Sequence, residues 1–191
     1  AATINYATSN GTATGGASCT GSTNYVTTSG TLNFAAGDTS KTFTIPICND
    51  NVYESDETVN LTLSSATGGS LLASPATAVL TITNDDSAPS FSIDDVSHNE
   101  GNAGTTSYVF TVTKTGSTEL SSSVNFATVD GTATLADSDY QTNSGTLNFL
   151  AGDTTKQITV LVNGDTKFET DEAFTVHLST PVTATISIAD G

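Results

Sequence analysis

Ser29-Gly30-Thr31-Leu32-Asn33-Phe34-Ala35-Ala36-Gly37-Asp38-Thr39-Ser40-Lys41 returns later in the chain as Ser144-Gly145-Thr146-Leu147-Asn148-Phe149-Leu150-Ala151-Gly152-Asp153-Thr154-Thr155-Lys156. The match extends in both directions. Upstream, Asn5-Tyr6-Ala7-Thr8 and Gly11-Thr12-Ala13-Thr14 return as Asn125-Phe126-Ala127-Thr128 and Gly131-Thr132-Ala133-Thr134. Downstream, Tyr53-Glu54-Ser55-Asp56-Glu57 returns as Phe168-Glu169-Thr170-Asp171-Glu172. Repetition on this scale means one supersecondary plan used twice in series. The copies are unequal: Ser90 to Leu120 precede the matching part of the second, and only Ala1 to Ile4 precede that of the first. The expected organisation is a partial domain over 1–86, a linker over 87–90 and a complete domain over 91–191, each near the common domain size of about 100 residues. The linker region, Asp85-Asp86-Ser87-Ala88-Pro89, is short and contains proline, which restricts the angle between domains.

Within each copy apolar residues recur with period two. Phe43, Ile45 and Ile47 alternate with Thr42, Thr44 and Pro46, and Ile158, Val160 and Val162 alternate with Gln157, Thr159 and Leu161. Period two places one face on a core and the other in water. Short alternating segments with Gly, Asn and Asp between them predict an all-β sandwich. Seven strands are expected in the second copy, near 91–96, 106–114, 121–129, 140–149, 155–163, 172–179 and 182–189. Five are expected in the first, near 2–8, 26–34, 41–48, 57–64 and 76–83. Gly37-Asp38 and Gly152-Asp153 read as hairpin turns.

The chain of 191 residues carries 20 acidic residues against four lysines, a net charge of -16. Nucleic-acid binding needs basic groups to neutralise phosphate, so that class is excluded. No apolar run is long enough to span a bilayer, and an anionic membrane surface would repel the chain. No basic-plus-apolar leader is present, so a secretion signal is expected outside this stretch. The acids make either a soluble surface or, where they cluster in loops, a cation site.

Cys19 and Cys48 occur only in the first copy. They lack the partners a zinc site or a catalytic thiol needs. Pairing about Gly37–Asp38 puts residue 48 opposite residue 27, and Cys19 lies in the loop entering the strand near Tyr25, so both reach one end of the sandwich. A disulfide is expected there, and with it an oxidising, extracellular or cell-surface compartment.

The runs Phe91-Ser92-Ile93-Asp94-Asp95-Val96, Asn99-Glu100-Gly101, Phe126-Ala127-Thr128-Val129-Asp130-Gly131-Thr132-Ala133, Ser138-Asp139-Tyr140 and Thr81-Ile82-Thr83-Asn84-Asp85-Asp86 resemble the Calx-β domain. The resemblance covers the whole second copy and all of the first except its start. It implies tandem immunoglobulin-like sandwiches, the second with seven strands and the first with about five. It also implies calcium held by acidic loops at one end. Carried over motif by motif, the ligands would be Glu100, Asp139, Asp165, Glu169 and Asp190 in the second copy. In the first they would be Asp50, Glu54, Asp85 and Asp86, with Asn24 standing where the second copy has Asp139. Asn49, Asn51, Gly164 and Thr166 stand where the family often has aspartate. Calcium accepts six to eight oxygens from carboxylates, amides and carbonyls.

Nothing points to catalysis. The serines lack a GxSxG elbow or a histidine partner. The pairs Asp56-Glu57 and Asp171-Glu172 recur at a strand entrance, which favours a structural role over glycoside hydrolysis. His98 reads as a solvated turn residue and His177 as an outward strand residue, while Asn10-Gly11-Thr12 and Asn60-Leu61-Thr62 fit a common glycosylation pattern. The expected role is a non-enzymatic extracellular structural or adhesive repeat, bacterial in type, stiffened by calcium at domain ends. A cell-surface or matrix target would be its partner. Two alternatives are a calcium-sensing regulatory domain and a filament subunit. In the second, a first domain short of two strands accepts strands from a neighbouring domain or an identical chain.

Overall fold

A computed structural model describes residues 1–191, and every regular element in it is a β-strand. The chain divides into two compact units, one of Ala1–Asn51 with Ser55–Asp85 and one of Val52–Glu54 with Asp86–Gly191. In chain order the strands are β1 (Ala2–Asn10), β2 (Gly15–Gly16), β3 (Tyr25–Val26), β4 (Ser29–Phe34), β5 (Val52–Tyr53), β6 (Glu57–Ser64) and β7 (Thr77–Ile82). They continue as β8 (Ser90–Ile93), β9 (Thr105–Thr115), β10 (Ser117–Thr118), β11 (Ser122–Val129), β12 (Ser144–Phe149), β13 (Thr155–Asn163), β14 (Thr175–Val182) and β15 (Thr185–Ile186).

The second unit is a sandwich of two sheets, ordered β12-β11-β14 and β13-β9-β8-β15. A short parallel pair of β5 with β10 completes it. Inward positions of both sheets meet in one core: Phe91 and Phe110 from one side, Val124, Phe149, Val176 and Leu178 from the other, all at most 3% exposed. Phe91 and Phe149 touch across the sheets with ring centroids 4.9 Å apart. The alternation along β13 buries Ile158, Val160 and Val162. Lys114, at the end of β9, is only 5% exposed and is satisfied by donating to the carbonyls of Leu150 and Ala151, at 2.9 Å each.

The expected hairpin at Gly152–Asp153 is not formed. β12 pairs with β11 and β13 pairs with β9, so the turn carries the chain from one sheet to the other. The repeated turn motif has a local cause. The Asp153 carboxylate accepts from Leu150 N–H at 3.0 Å and pairs with Lys156 at 2.8 Å. Asp38 does the same with Ala35 N–H at 2.9 Å and Lys41 at 2.7 Å. The lysine, then the backbone N–H, hold each aspartate below the ordinary carboxylate range. These two acids are turn caps. The last expected strand, 182–189, shrinks to Thr185–Ile186, and the one expected at 172–179 runs instead from Thr175 to Val182.

The first unit contains one four-stranded antiparallel sheet, β4-β1-β6-β7, and the two-residue pair β2-β3. The strand expected over 41–48 does not form. The segment is irregular until a single bridge joins Ile47 to Tyr25, flanked by Val26 N–H to Pro46 O at 2.9 Å and Cys48 N–H to Asn24 O at 2.8 Å. Residue 48 therefore meets residue 24, not residue 27. The second unit shows why. Its equivalent strand, β13, is held along its whole length by β9, and the first unit has no strand corresponding to β9. Alternating sequence without a ladder partner leaves backbone groups to water, and the strand is not made. The core shrinks accordingly, to three buried residues, Ala13, Tyr25 and Val59, against thirteen in the second unit. Phe34, Phe43, Ile45, Leu61 and Leu63 are all only partly buried.

Hydrogen exchange reads this contrast directly. Amides of Lys41–Ile45 are expected to exchange at least about a hundredfold faster than those of Lys156–Val160, because only the latter close a ladder over a buried face. Equal protection of the two segments, measured by NMR, would refute the unpaired assignment.

Candidate functional site

Strand register in the second unit brings three loops to one end. Thr105 pairs with Asn163, so the turn before β9 and the loop after β13 leave their sheet side by side. Val129 pairs with Thr175, so the loop after β11 and the one before β14 do likewise. These loops carry Glu100, Asp139, Asp165, Glu169 and Glu172 and line a cleft of about 440 Å³ with Tyr108 and Phe174.

Two carboxylate groups converge there. Glu100, Asp165 and Glu169 each place an oxygen within 4.8 Å of the others, and so do Asp139, Glu169 and Glu172. Glu169 belongs to both, so the five acids form one connected cluster. Several backbone arrangements hold them. Asp139 Oδ2 accepts Thr134 N–H at 2.7 Å, and Asp165 Oδ1 accepts Lys167 N–H at 2.7 Å. Asn24 Oδ1 accepts Thr14 N–H at 2.8 Å in the first unit, so the residue at this repeat position has a structural duty in both copies. Gly164 explains one departure from the acid-rich pattern. A Cβ there would stand 2.6 Å from Gly101 O and 2.9 Å from Glu100 O, so aspartate at 164 would force apart the loops that bring Glu100 to Asp165.

Aromatic rings floor the site. Tyr140 stacks on Phe174 with centroids 4.4 Å apart and donates to Asp130 at 2.5 Å. Burial, then Asp130, push the Tyr140 hydroxyl up to about 12. Tyr108 donates to the His98 carbonyl, and the His98 ring meets it edge-on at 5.3 Å. Burial, then the charge of Glu100, raise the Tyr108 hydroxyl. Among the carboxylates, desolvation followed by the charges of Asp139 and Glu169 lifts Glu172 above the ordinary range. Crowded like charges of this kind are relieved by a cation. The donor set fits calcium, which takes six to eight oxygens in a flexible shell. Five carboxylates line these loops, with Asp139 Oδ2 and Asp165 Oδ1 each accepting a backbone N–H and Glu169 Oε1 paired with the Lys167 ammonium.

Of the residues expected from the sequence, Glu100, Asp139, Asp165 and Glu169 come together. Asp190 does not join either group, and its Oδ1 pairs with Nδ1 of His177 on β14. Asp50 and Asp85 lie in the first unit, and Glu54 and Asp86 in the second. Glu172 is the ligand candidate that sequence reasoning missed. The repeat of Asp-Glu at a strand entrance suggested structure alone, yet the Glu172 carboxylate meets those of Asp139 and Glu169. Asn10, in one glycosylation-like triplet, has its Oδ1 engaged by Tyr25 O–H at 2.8 Å and Gly15 N–H at 3.0 Å.

The Calx-beta domain family matches residues 1–86 and again residues 84–190. Sodium/calcium exchanger 1 of Bos taurus is 28% identical over 196 residues, covering 93% of this chain and 19% of its own length. Sodium/calcium exchanger 3 of Homo sapiens is 30% identical over 199 residues, covering 93% and 21%. The chain thus spans about a fifth of the length of the curated relatives it matches. Among solved structures, CBD12 from CALX1.2 is 28% identical with a TM-score of 0.41, covering 94% of this chain and 68% of its own. The calcium binding domain CBD12 of CALX1.1 is 27% identical with a TM-score of 0.40, covering 94% and 66%.

Proposed function

This chain belongs to the Calx-beta domain family, and we propose that it is a non-catalytic tandem module whose second domain binds calcium through its acidic end. The observation that carries this reading is the connected cluster of Glu100, Asp139, Asp165, Glu169 and Glu172. Exchangers of sodium and calcium among its sequence relatives support the choice of ion. Calcium across these loops would tie three separate segments together and stiffen that end of the sandwich. The role that follows is a structural or adhesive spacer. The Cys19–Cys48 bond supports an oxidising location, extracellular or at a cell surface.

A ligand bound only by the folded state adds about 2.7 kcal/mol at a hundred times its Kd. The melting transition of the second domain is therefore expected to rise by several degrees from chelator to saturating calcium. Glu169→Gln removes the shared carboxylate and should abolish the rise. Asp190→Asn should leave it intact. A calorimetric trace indifferent to calcium would leave these acids only a solubilising role. A calcium-dependent change of overall shape in small-angle scattering would favour a sensor over a spacer.

The irregular Lys41–Cys48 segment favours a second reading, in which the first domain accepts a strand from a neighbouring domain or an identical chain. Identical chains joined in this way add head to tail and do not close, so they form fibres. Electron microscopy in calcium tests the identical-chain form: ordered fibres support it, and uniform monomers rule it out.

A further inference from the structure

We infer that Lys167 is a tethered counter-ion that competes with calcium for the acidic end of the second domain and so sets its affinity. This inference rests on the calcium reading above. The chain has four basic side chains. Lys41 and Lys156 are committed to turn aspartates, and Lys114 is buried against two carbonyls. Lys167 alone stands among the acidic loops, between Asp165 and Glu169 in sequence.

Its position is fixed at both ends. The backbone N–H donates to Asp165 Oδ1 at 2.7 Å, and the ammonium pairs with Glu169 Oε1. The Glu169 side chain is 20% exposed, while that of Lys167 is 67% exposed. The lysine thus reaches in from solvent and places its charge on the one carboxylate that both acid groups share. A cation is already held there, and it belongs to the chain itself. Calcium can use that oxygen of Glu169 only after the ammonium swings away, which the exposed lysine stem permits at small conformational cost. With Lys167 in place, the ion also meets a like charge a few ångströms distant. The repeat sharpens the assignment, since the first copy has Val52 at the equivalent position.

Calcium titration calorimetry at low salt on wild type, Lys167→Gln and Lys167→Arg tests this. Removing one nearby positive charge is expected to tighten calcium binding about tenfold, and higher salt should narrow the gap. Lys167→Arg keeps the charge and should bind like wild type. In chelator, Lys167→Gln should melt below wild type, because the acids lose their counter-ion. A glutamine variant that binds calcium no tighter than wild type overturns the competition. If wild type and both variants all fail to bind, the calcium reading itself has failed, a different and recognisable result.

Discussion

Replacing Phe149 with alanine should destabilise the second domain by about 3–5 kcal/mol, the usual loss when a fully buried phenylalanine is cut to a methyl group. Phe149 is 0% exposed and meets Phe91 across the two sheets. Neither sheet can collapse into the gap without breaking its own ladder, so the cavity persists. The equivalent change in the first domain, Phe34→Ala, should cost only about 1 kcal/mol. Phe34 occupies the same place in the repeated motif but stays partly exposed, so truncation removes less buried area. Urea unfolding followed by NMR signals assigned to each domain compares the two losses. Equal losses would mean that the first domain has a closed core, contrary to its three buried residues.

Opening the Cys19–Cys48 bond should remove about 3–4 kcal/mol from the first domain, the chain-entropy value for a loop of 29 residues. The bond has particular weight there. It ties the Gly/Ser loop to the far end of the segment that lacks a ladder partner. The second domain achieves the same closure without covalency: Asn163, at the position of Cys48, donates from Nδ2 to Ser138 O and accepts from Gln141 Nε2. A Cys19→Ser, Cys48→Ser double variant is therefore expected to melt the first domain early and leave the second unchanged. Intact mass after alkylation of the native protein provides the chemical control, and two modified cysteines would contradict the bond. An unaltered melt of the double variant would show that Tyr25 and its neighbours close the first domain alone.

Local pattern was enough for several features. Period two along Ile158, Val160 and Val162 defined a half-buried strand, because alternation reports a single element meeting one core. The doubled Ser-Gly-Thr-Leu-Asn-Phe motif revealed two copies of one plan. Glu100, Asp139, Asp165 and Glu169 were identifiable as loop acids through their family motifs.

Pairing was not legible in the same way. Phe43-Thr44-Ile45 and Ile158-Thr159-Val160 have the same alternation, yet only the second is a strand, since a strand exists by virtue of a neighbour far away in sequence. The turn at Gly152–Asp153 looked like a hairpin because its local chemistry suits a reversal, and only sheet assembly sends the two arms to different partners. Glu172 and Lys167 entered the acidic cluster for a similar reason, as loops from three strand ends converge there. Asp190 left it because the register of the last segment delivers it to His177. Periodicity and turn chemistry act within a few residues, so the faces of the strands and the repeat are legible along the chain. Ladder partners and carboxylate convergence depend on contacts between segments far apart in sequence, and they emerge when the sheets assemble.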